Sequence, residues 1–190
     1  TLTQTLASGA NTAEFIGRPD PEPTWTSVNG GSYYQTCGVT TAGAAYCWGT
    51  NNYGQLGDGT TTDRTTPVLV WPGSTGGWTW ISVDGGADHT CGVTTTGYPY
   101  SSVGAAYCWG LNNHGRLGDG TIWQRITPVL VSGGHTWASV SSGYRNSCGL
   151  TWLEEAYCWG SSRDGQLGGS SFSSGTPVSG NHTWASVSAG

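Results

Sequence analysis

The chain contains no lysine and no methionine, and only 9% of its 190 residues are charged. All six basic residues are arginine, set against 11 acids, for a net charge of −5. Nucleic-acid binding rests on a basic stripe that neutralises phosphates, and this composition excludes that class of partner. Sparse charge also removes the self-repulsion that holds disordered chains open. No apolar run approaches the roughly 20 residues that cross a bilayer as a helix, so no membrane span is expected. No secretory leader is recognisable, and the absent initiator methionine fits a processed or excerpted chain. What is abundant is glycine, at 33 residues, and tryptophan, at 11. Together they indicate tight turns between short strands that carry large packing groups.

One block recurs three times. It reads Trp-x-Ser-Val, then Cys-Gly-(Val/Leu)-Thr, then Ala-Tyr-Cys-Trp-Gly, then Gly-(Gln/Arg)-Leu-Gly, then Thr-Pro-Val. The copies open at Trp25, Trp80 and Trp137, and a fourth opens at Trp184. A self-similar period of about 50 residues is the signature of a repeat architecture.

The six cysteines fall one pair to a copy: Cys37 with Cys47, Cys91 with Cys108, Cys148 with Cys158. Setting Cys37 opposite Cys47 in a hairpin sets Val39 opposite Ala45 and Gly38 opposite Tyr46. The other two copies obey the same register, although the second has a longer connecting loop. A register that survives a change of loop length points to paired strands. Directly opposed residues lie near the separation a disulfide needs, so three disulfides are expected. Zinc ligation and reduced buried thiols are the competing readings; zinc sites favour shorter spacing and four ligands in one place. Each bridge would contribute roughly 3 kcal/mol. Persistent disulfides belong to oxidising compartments, which implies an extracellular or cell-surface protein.

Each copy reads as four short strands, around Trp25–Val28, Thr36–Thr40, Ala45–Trp48 and Val68–Val70 in the first. The expected fold is all-β, a β-propeller of four-stranded antiparallel blades. Residues 1–24 form an arm and Pro-rich linker, 25–70, 71–131 and 132–178 are three blades, and 179–190 hold the first strand of a fourth. Leu56, Leu117 and Leu167 are expected to anchor the Gly-rich turns to the core. Pro67, Pro128 and Pro177 are expected at the start of the last strand, where a missing N–H is tolerated. The Gly opposite each Tyr is expected to leave room for the tyrosine ring.

The runs His89-Thr90-Cys91-Gly92-Val93-Thr94, Ala106-Tyr107-Cys108-Trp109-Gly110 and Asn113-His114-Gly115-Arg116-Leu117-Gly118-Asp119-Gly120-Thr121 resemble the repeat of the regulator of chromosome condensation family. The resemblance extends over residues 24–190. It implies a propeller, usually of seven four-stranded blades. It also implies a choice of roles: nuclear members are guanine-nucleotide exchange factors, secreted bacterial members include a protein inhibitor of β-lactamase, and others are binding scaffolds. This chain differs from the nuclear members in its cysteine pairs, its few charges and its lack of basic surface.

No catalytic, cofactor-binding or metal-ligating set stands out, and the chain is read as a non-enzyme. His89 aligns with Gln35 and Asn146, which assigns it a structural hydrogen bond. His114 falls at a variable turn position. His135 and His182 both precede Thr-Trp and are expected to face solvent. Asp58-Gly59-Thr60 and Asp119-Gly120-Thr121 lack the dense ligand spacing of a calcium loop and read as side-chain-to-backbone turns. Glu154 and Glu155 are expected to be solvated. Asn181-His182-Thr183 is a possible glycosylation acceptor at Asn181. Trp71, Trp78, Trp123, Trp152 and Phe172 lie outside the repeated Trp positions and are candidate interface aromatics, with packing between blades as the plainer account.

Three blades and one strand do not close a ring and would expose an unpaired edge. Three resolutions are open: an excerpt of a longer propeller, a ring closed by several copies, or copies stacked head to tail. The leading expectation is a non-catalytic extracellular structural protein that self-assembles, even into filaments. It would do so through a strand at Thr183, Trp184, Ala185, Ser186 and Val187 and an arm carrying Leu2, Leu6, Phe15 and Ile16. The alternative is a fragment of a secreted binding propeller. Its partners are thus copies of itself or another extracellular protein, with no cofactor.

Overall fold

The computed structural model describes residues 23–71, 78–96, 104–169, 176–180 and 182–190. The arm residues Leu2, Leu6, Phe15 and Ile16, together with Phe172 and Asn181, lie outside the described residues. The fold is all-β, and the described residues form three antiparallel sheets whose strands follow chain order. Blade 1 holds β1 (Trp25–Gly30), β2 (Gln35–Thr40), β3 (Ala45–Gly49) and β4 (Arg64–Leu69). Blade 2 holds β5 (Thr79–Gly85), β6 (His89–Thr96), β7 (Ala105–Gly110) and β8 (Arg125–Leu130). Blade 3 holds β9 (Trp137–Ser142), β10 (Asn146–Thr151), β11 (Ala156–Gly160) and β12 (Thr176–Pro177). In every blade the central hairpin pairs Cys with Cys, Gly with Tyr, and Val or Leu with Ala.

The cores lie between blades rather than within them. One cluster joins Val39, Ala45 and Leu56 of blade 1 to Trp80, Val83 and Trp109 of blade 2. A second joins Val93, Ala106 and Leu117 of blade 2 to Trp137, Val140 and Trp159 of blade 3. A single blade therefore has no interior of its own, as expected of a repeat that buries its face only by stacking. Of the first strands, β5 touches both β1 and β9, which makes the three the inner strands of the blades.

Three details depart from the sequence reading. Trp25, not Tyr46, fills the space over Gly38: a Cβ there would come 2.8 Å from its ring. Trp80 over Gly92 and Trp137 over Gly149 repeat the arrangement. Glycine at these sites admits a tryptophan from the neighbouring inner strand, a neighbour that hairpin register alone does not identify. Pro67 and Pro128 do not begin their strands but stand fourth of six residues in β4 and β8. These strands open earlier, at Arg64 and Arg125, across a bulge in the ladder. As outer edge strands they tolerate a missing N–H in mid-strand. Finally, Thr183–Val187 is not a strand. It runs along blade 3 without a ladder partner, and a strand is a property of a pair.

Candidate functional site

Adjacent blades are joined by a repeated seal. The Gly-x-Leu-Gly turn of one blade presents a main-chain carbonyl, and the next blade's central hairpin donates two hydrogen bonds to it. Between blades 1 and 2, Thr90 Oγ1 and Trp109 Nε1 donate to the Gln55 carbonyl at 2.7 and 2.9 Å. Between blades 2 and 3, Ser147 Oγ and Trp159 Nε1 donate to the Arg116 carbonyl, both at 2.9 Å. Leu56, Leu117 and Leu167, beside these carbonyls, are fully buried and hold the turns down. A glycine follows each leucine because the indole lies on it. A Cβ on Gly57 would come 2.6 Å from Trp109 Nε1, and one on Gly118 2.8 Å from Trp159 Nε1.

A polar side chain keys each seal. Gln35 donates through Nε2 to the His89 carbonyl at 3.0 Å and to Thr90 Oγ1 at 3.2 Å. At the next seal His89 takes the same place, with Nε2 2.8 Å from Ser147 Oγ. The serine proton is used on the Arg116 carbonyl, so His89 Nε2 carries the hydrogen and donates. Nδ1 is then bare and, among the described residues, without a partner. Burial, and secondarily the Arg116 guanidinium, push the His89 pKa down to about 3. The ring is a neutral structural donor. On the inner strand, Asp84 accepts from Ser142 N–H at 2.7 Å, and burial raises its pKa against the lowering by Ser142 and Ser141.

Residues 184–190 dock on blade 3 as β5 docks on blade 1 and β9 on blade 2. Trp184 N–H donates to the Glu154 carbonyl at 2.9 Å, matching Trp80 to Gly43 and Trp137 to Gly104. Tyr144 N–H donates to the Gly190 carbonyl at 3.1 Å, matching Ser32 to Gly86 and Ala87 to Gly143. Ala189 N–H donates to Ser141 Oγ at 3.1 Å. Val187 and Ala189 cover the small third core of Cys148, Cys158 and Leu167. Beside this segment opens a cleft of ≈ 370 Å³ lined by Tyr144, Asn146, Ser161, Arg163, Gln166 and Gly190, among others.

Disulfides join Cys37–Cys47, Cys91–Cys108 and Cys148–Cys158 across the central hairpins, with Cα atoms 4.1 Å apart in each. Asp58 makes the turn bonds to Thr60 at 2.9 Å (N–H) and 2.7 Å (Oγ1). It also pairs with Arg64 at 2.7 Å, as Asp119 does with Arg125 at 2.9 Å. The sequence reading missed these pairs, though the recurrence of Asp and Arg six residues apart was visible. Burial raises both carboxyls, but the bonds from threonine and arginine outweigh it and hold them below the ordinary carboxylate range. Glu154 and Glu155 are exposed.

His135 does not face solvent freely; its ring lies 4.1 Å from that of Tyr157. Trp78 occupies the equivalent place and stacks on Tyr107 at 4.4 Å, so it is a packing residue. In blades 2 and 3 the flat ring of the central Tyr accepts whichever aromatic precedes the inner strand. His182 is exposed beside Trp184. Trp71, Trp123 and Trp152 stay exposed, at 47%, 69% and 61%. Among the described residues no cluster of His, Cys, Asp or Glu suits a metal ion, and no helix is long and apolar enough to cross a membrane.

The sequence matches the family described as regulator of chromosome condensation (RCC1) repeat over residues 42–93 and 104–150, and a second description of that repeat over 80–116. Over 118 residues it is 37% identical to the ultraviolet-B receptor UVR8 of Arabidopsis thaliana, covering 61% of this chain and 25% of the receptor. Over 100 residues it is 34% identical to the probable E3 ubiquitin-protein ligase HERC4 of Homo sapiens, covering 52% and 9%. Prp20p from Saccharomyces cerevisiae shares the fold with a TM-score of 0.72 at 17% identity, over 87% of this chain and 42% of that one. Human WBSCR16 does so with a TM-score of 0.70 at 19% identity, over 83% and 38%. The chain thus spans a quarter or less of these curated relatives and under half of these solved structures.

Proposed function

Because the chain belongs to the regulator of chromosome condensation repeat family, we propose that it is a non-catalytic, protein-binding section of a β-propeller that works outside the cytosol and binds copies of itself. The three disulfides support an oxidising setting. Self-binding is supported by the segment Trp184–Gly190, which makes the hydrogen bonds of an inner strand on blade 3 and, among the described residues, has no ladder partner. An edge of this kind recruits a strand or hairpin of complementary sequence. The best complement in the molecule is β2, which already pairs with the same Trp-x-Ser-Val motif in β1. A contact between different ends of identical chains repeats without closing unless geometry returns it to its start, so open assemblies or filaments follow. Leu2, Leu6, Phe15 and Ile16 enter this reading as a second clasp on the neighbour. No ligase activity is carried over from a relative of which only 9% is matched.

The test is light scattering and electron microscopy of the oxidised chain over a range of concentrations. Concentration-dependent head-to-tail oligomers are expected; a monomer at every concentration overturns self-binding. A second reading, capture of a different extracellular protein, is favoured by the exposed Ile122, Trp123, Trp152 and Leu153. It predicts a monomer that captures one partner and loses it on Trp123→Ser or Trp152→Ser.

A further inference from the structure

The loops between the first and second strands of the three blades are stitched side by side. They are residues 31–34 in blade 1, 86–88 in blade 2 and 143–145 in blade 3. Ser32 N–H donates to the Gly86 carbonyl and Ala87 N–H to the Gly143 carbonyl, both at 3.2 Å. Tyr144 N–H donates in the same way to Gly190, so Ser32, Ala87 and Tyr144 are counterparts. Tyr34, Asp88 and Arg145 are counterparts too, for their carbonyls accept from Thr50, Leu111 and Ser161, each the residue after its blade's third strand. The blade 1 loop is therefore longer by one residue, and the extra residue is Tyr33. Its ring reaches past blade 2 to Tyr144 of blade 3, with centroids 5.7 Å apart and planes at 41°. The next residue, Tyr34, stands in the left-handed region at φ 41°, where the loop bends back. Tyr33 and Tyr144 are 45% and 44% exposed, open to small reagents. Hydrogen bonding with the Tyr144 hydroxyl, more than any other cause, pushes the Tyr33 pKa up, as fits phenol oxygens that face each other.

We propose that Tyr33 and Tyr144 form a cross-linking site, joined by oxidative coupling into a dityrosine that ties blade 1 to blade 3. The oxidant is hydrogen peroxide used by a haem peroxidase, a class that fits the oxidising setting supported by the disulfides. Each phenol gives up one electron and one proton, and one peroxide takes two of each and becomes two waters. The two neutral phenoxyl radicals then join through a carbon–carbon bond between ring positions ortho to the hydroxyls. The hydrogen on each of those carbons moves to its phenol oxygen, which restores both aromatic rings. The Arg145 guanidinium, 5.1 Å from the Tyr144 ring centroid, disfavours a positively charged ring, so the electron leaves together with the proton. The bond needs the rings to close by about one further bond length, a movement that exposed side chains on loops make within nanoseconds. The link supplies what the disulfides do not. Each disulfide closes inside one hairpin, over 10, 17 and 10 residues, and among the described residues none joins two blades.

The experiment treats the full, disulfide-intact chain at high dilution with a haem peroxidase and hydrogen peroxide. A single chain two hydrogens lighter than the parent is expected, with the blue fluorescence of dityrosine and a cross-linked peptide pair carrying Tyr33 and Tyr144. Holding two radicals side by side favours coupling within the chain, so Tyr33→Phe and Tyr144→Phe are each expected to lower the intrachain product about 10-fold or more. Tyr34→Phe is expected to leave it unchanged. All three substitutions keep a ring at an exposed position, and an unfolding midpoint equal to the parent's shows that the variants fold. No dityrosine, coupling only between chains, coupling of Tyr33 to Tyr34, or full yield from Tyr144→Phe overturns the site. None of these outcomes bears on self-binding, which light scattering reads separately.

Discussion

The seal between blades 1 and 2 and the seal between blades 2 and 3 have one geometry and different keys. Both place an indole N–H and a hydroxyl on a turn carbonyl over a glycine seat. The first is keyed by Gln35, which has no charge to gain. The second is keyed by the buried His89 and joined by the half-buried Asp84, both titratable. The difference teaches that the repeat specifies hydrogen-bond directions at this site, not residue type. An amide N–H and an imidazole N–H do the same work at neutral pH, and only acid separates them.

The sharpest way to test the shared geometry is to remove each indole. Trp109→Ala and Trp159→Ala delete fully buried rings, and each is expected to cost about 3–5 kcal/mol. Denaturant unfolding with disulfides intact measures it. Losses that differ by more than ~1 kcal/mol break the equivalence of the two seals.

Acid distinguishes the keys. The folded pKa of His89, about 3, lies below its ordinary 6.5. Folding thus favours the neutral ring, a stabilisation complete above pH ~6.5 and lost progressively as pH falls towards 3, amounting to a few kcal/mol. Asp84 acts in the opposite sense: its raised pKa favours the protonated form, so its contribution is lost as pH rises through that value. Asp58 and Asp119, held low, lose stabilisation only below pH ~4. His89→Gln makes the second seal resemble the first and is expected to flatten the stability profile between pH 6.5 and 4. An unchanged profile there refutes the assignment.

The smallest expected effect lies in the turns that carry the carbonyls. Asp58→Asn and Asp119→Asn each weaken an arginine pair whose cation is about one-third exposed, so each is expected to cost ~1 kcal/mol. Blade 3 has Gly169 at that position and holds its turn without such a pair. Thermal unfolding of the two variants would show equal shifts if the seals differ only in their keys.

Hairpin register was legible because three copies with different loops agreed on it, and the leucine anchors because they recur between glycines. The tryptophan over each glycine was not legible. It comes from a strand whose alignment across the sheet leaves no mark in the hairpin's own sequence. The arginine pairs of Asp58 and Asp119 needed the turn to fold the chain back over six residues. His135 and Trp78 read as exposed positions, yet each has a tyrosine ring of the same blade beside it.

The sequence by itself determined the repeat, the antiparallel pairing of the cysteine strands and the absence of a basic surface, because these follow from local spacing and composition. Which carbonyl receives each indole and why His89 stays neutral were decided only by tertiary structure. Those depend on contacts between blades, where groups about 30 to 60 residues apart are brought within hydrogen-bond distance and closed off from water.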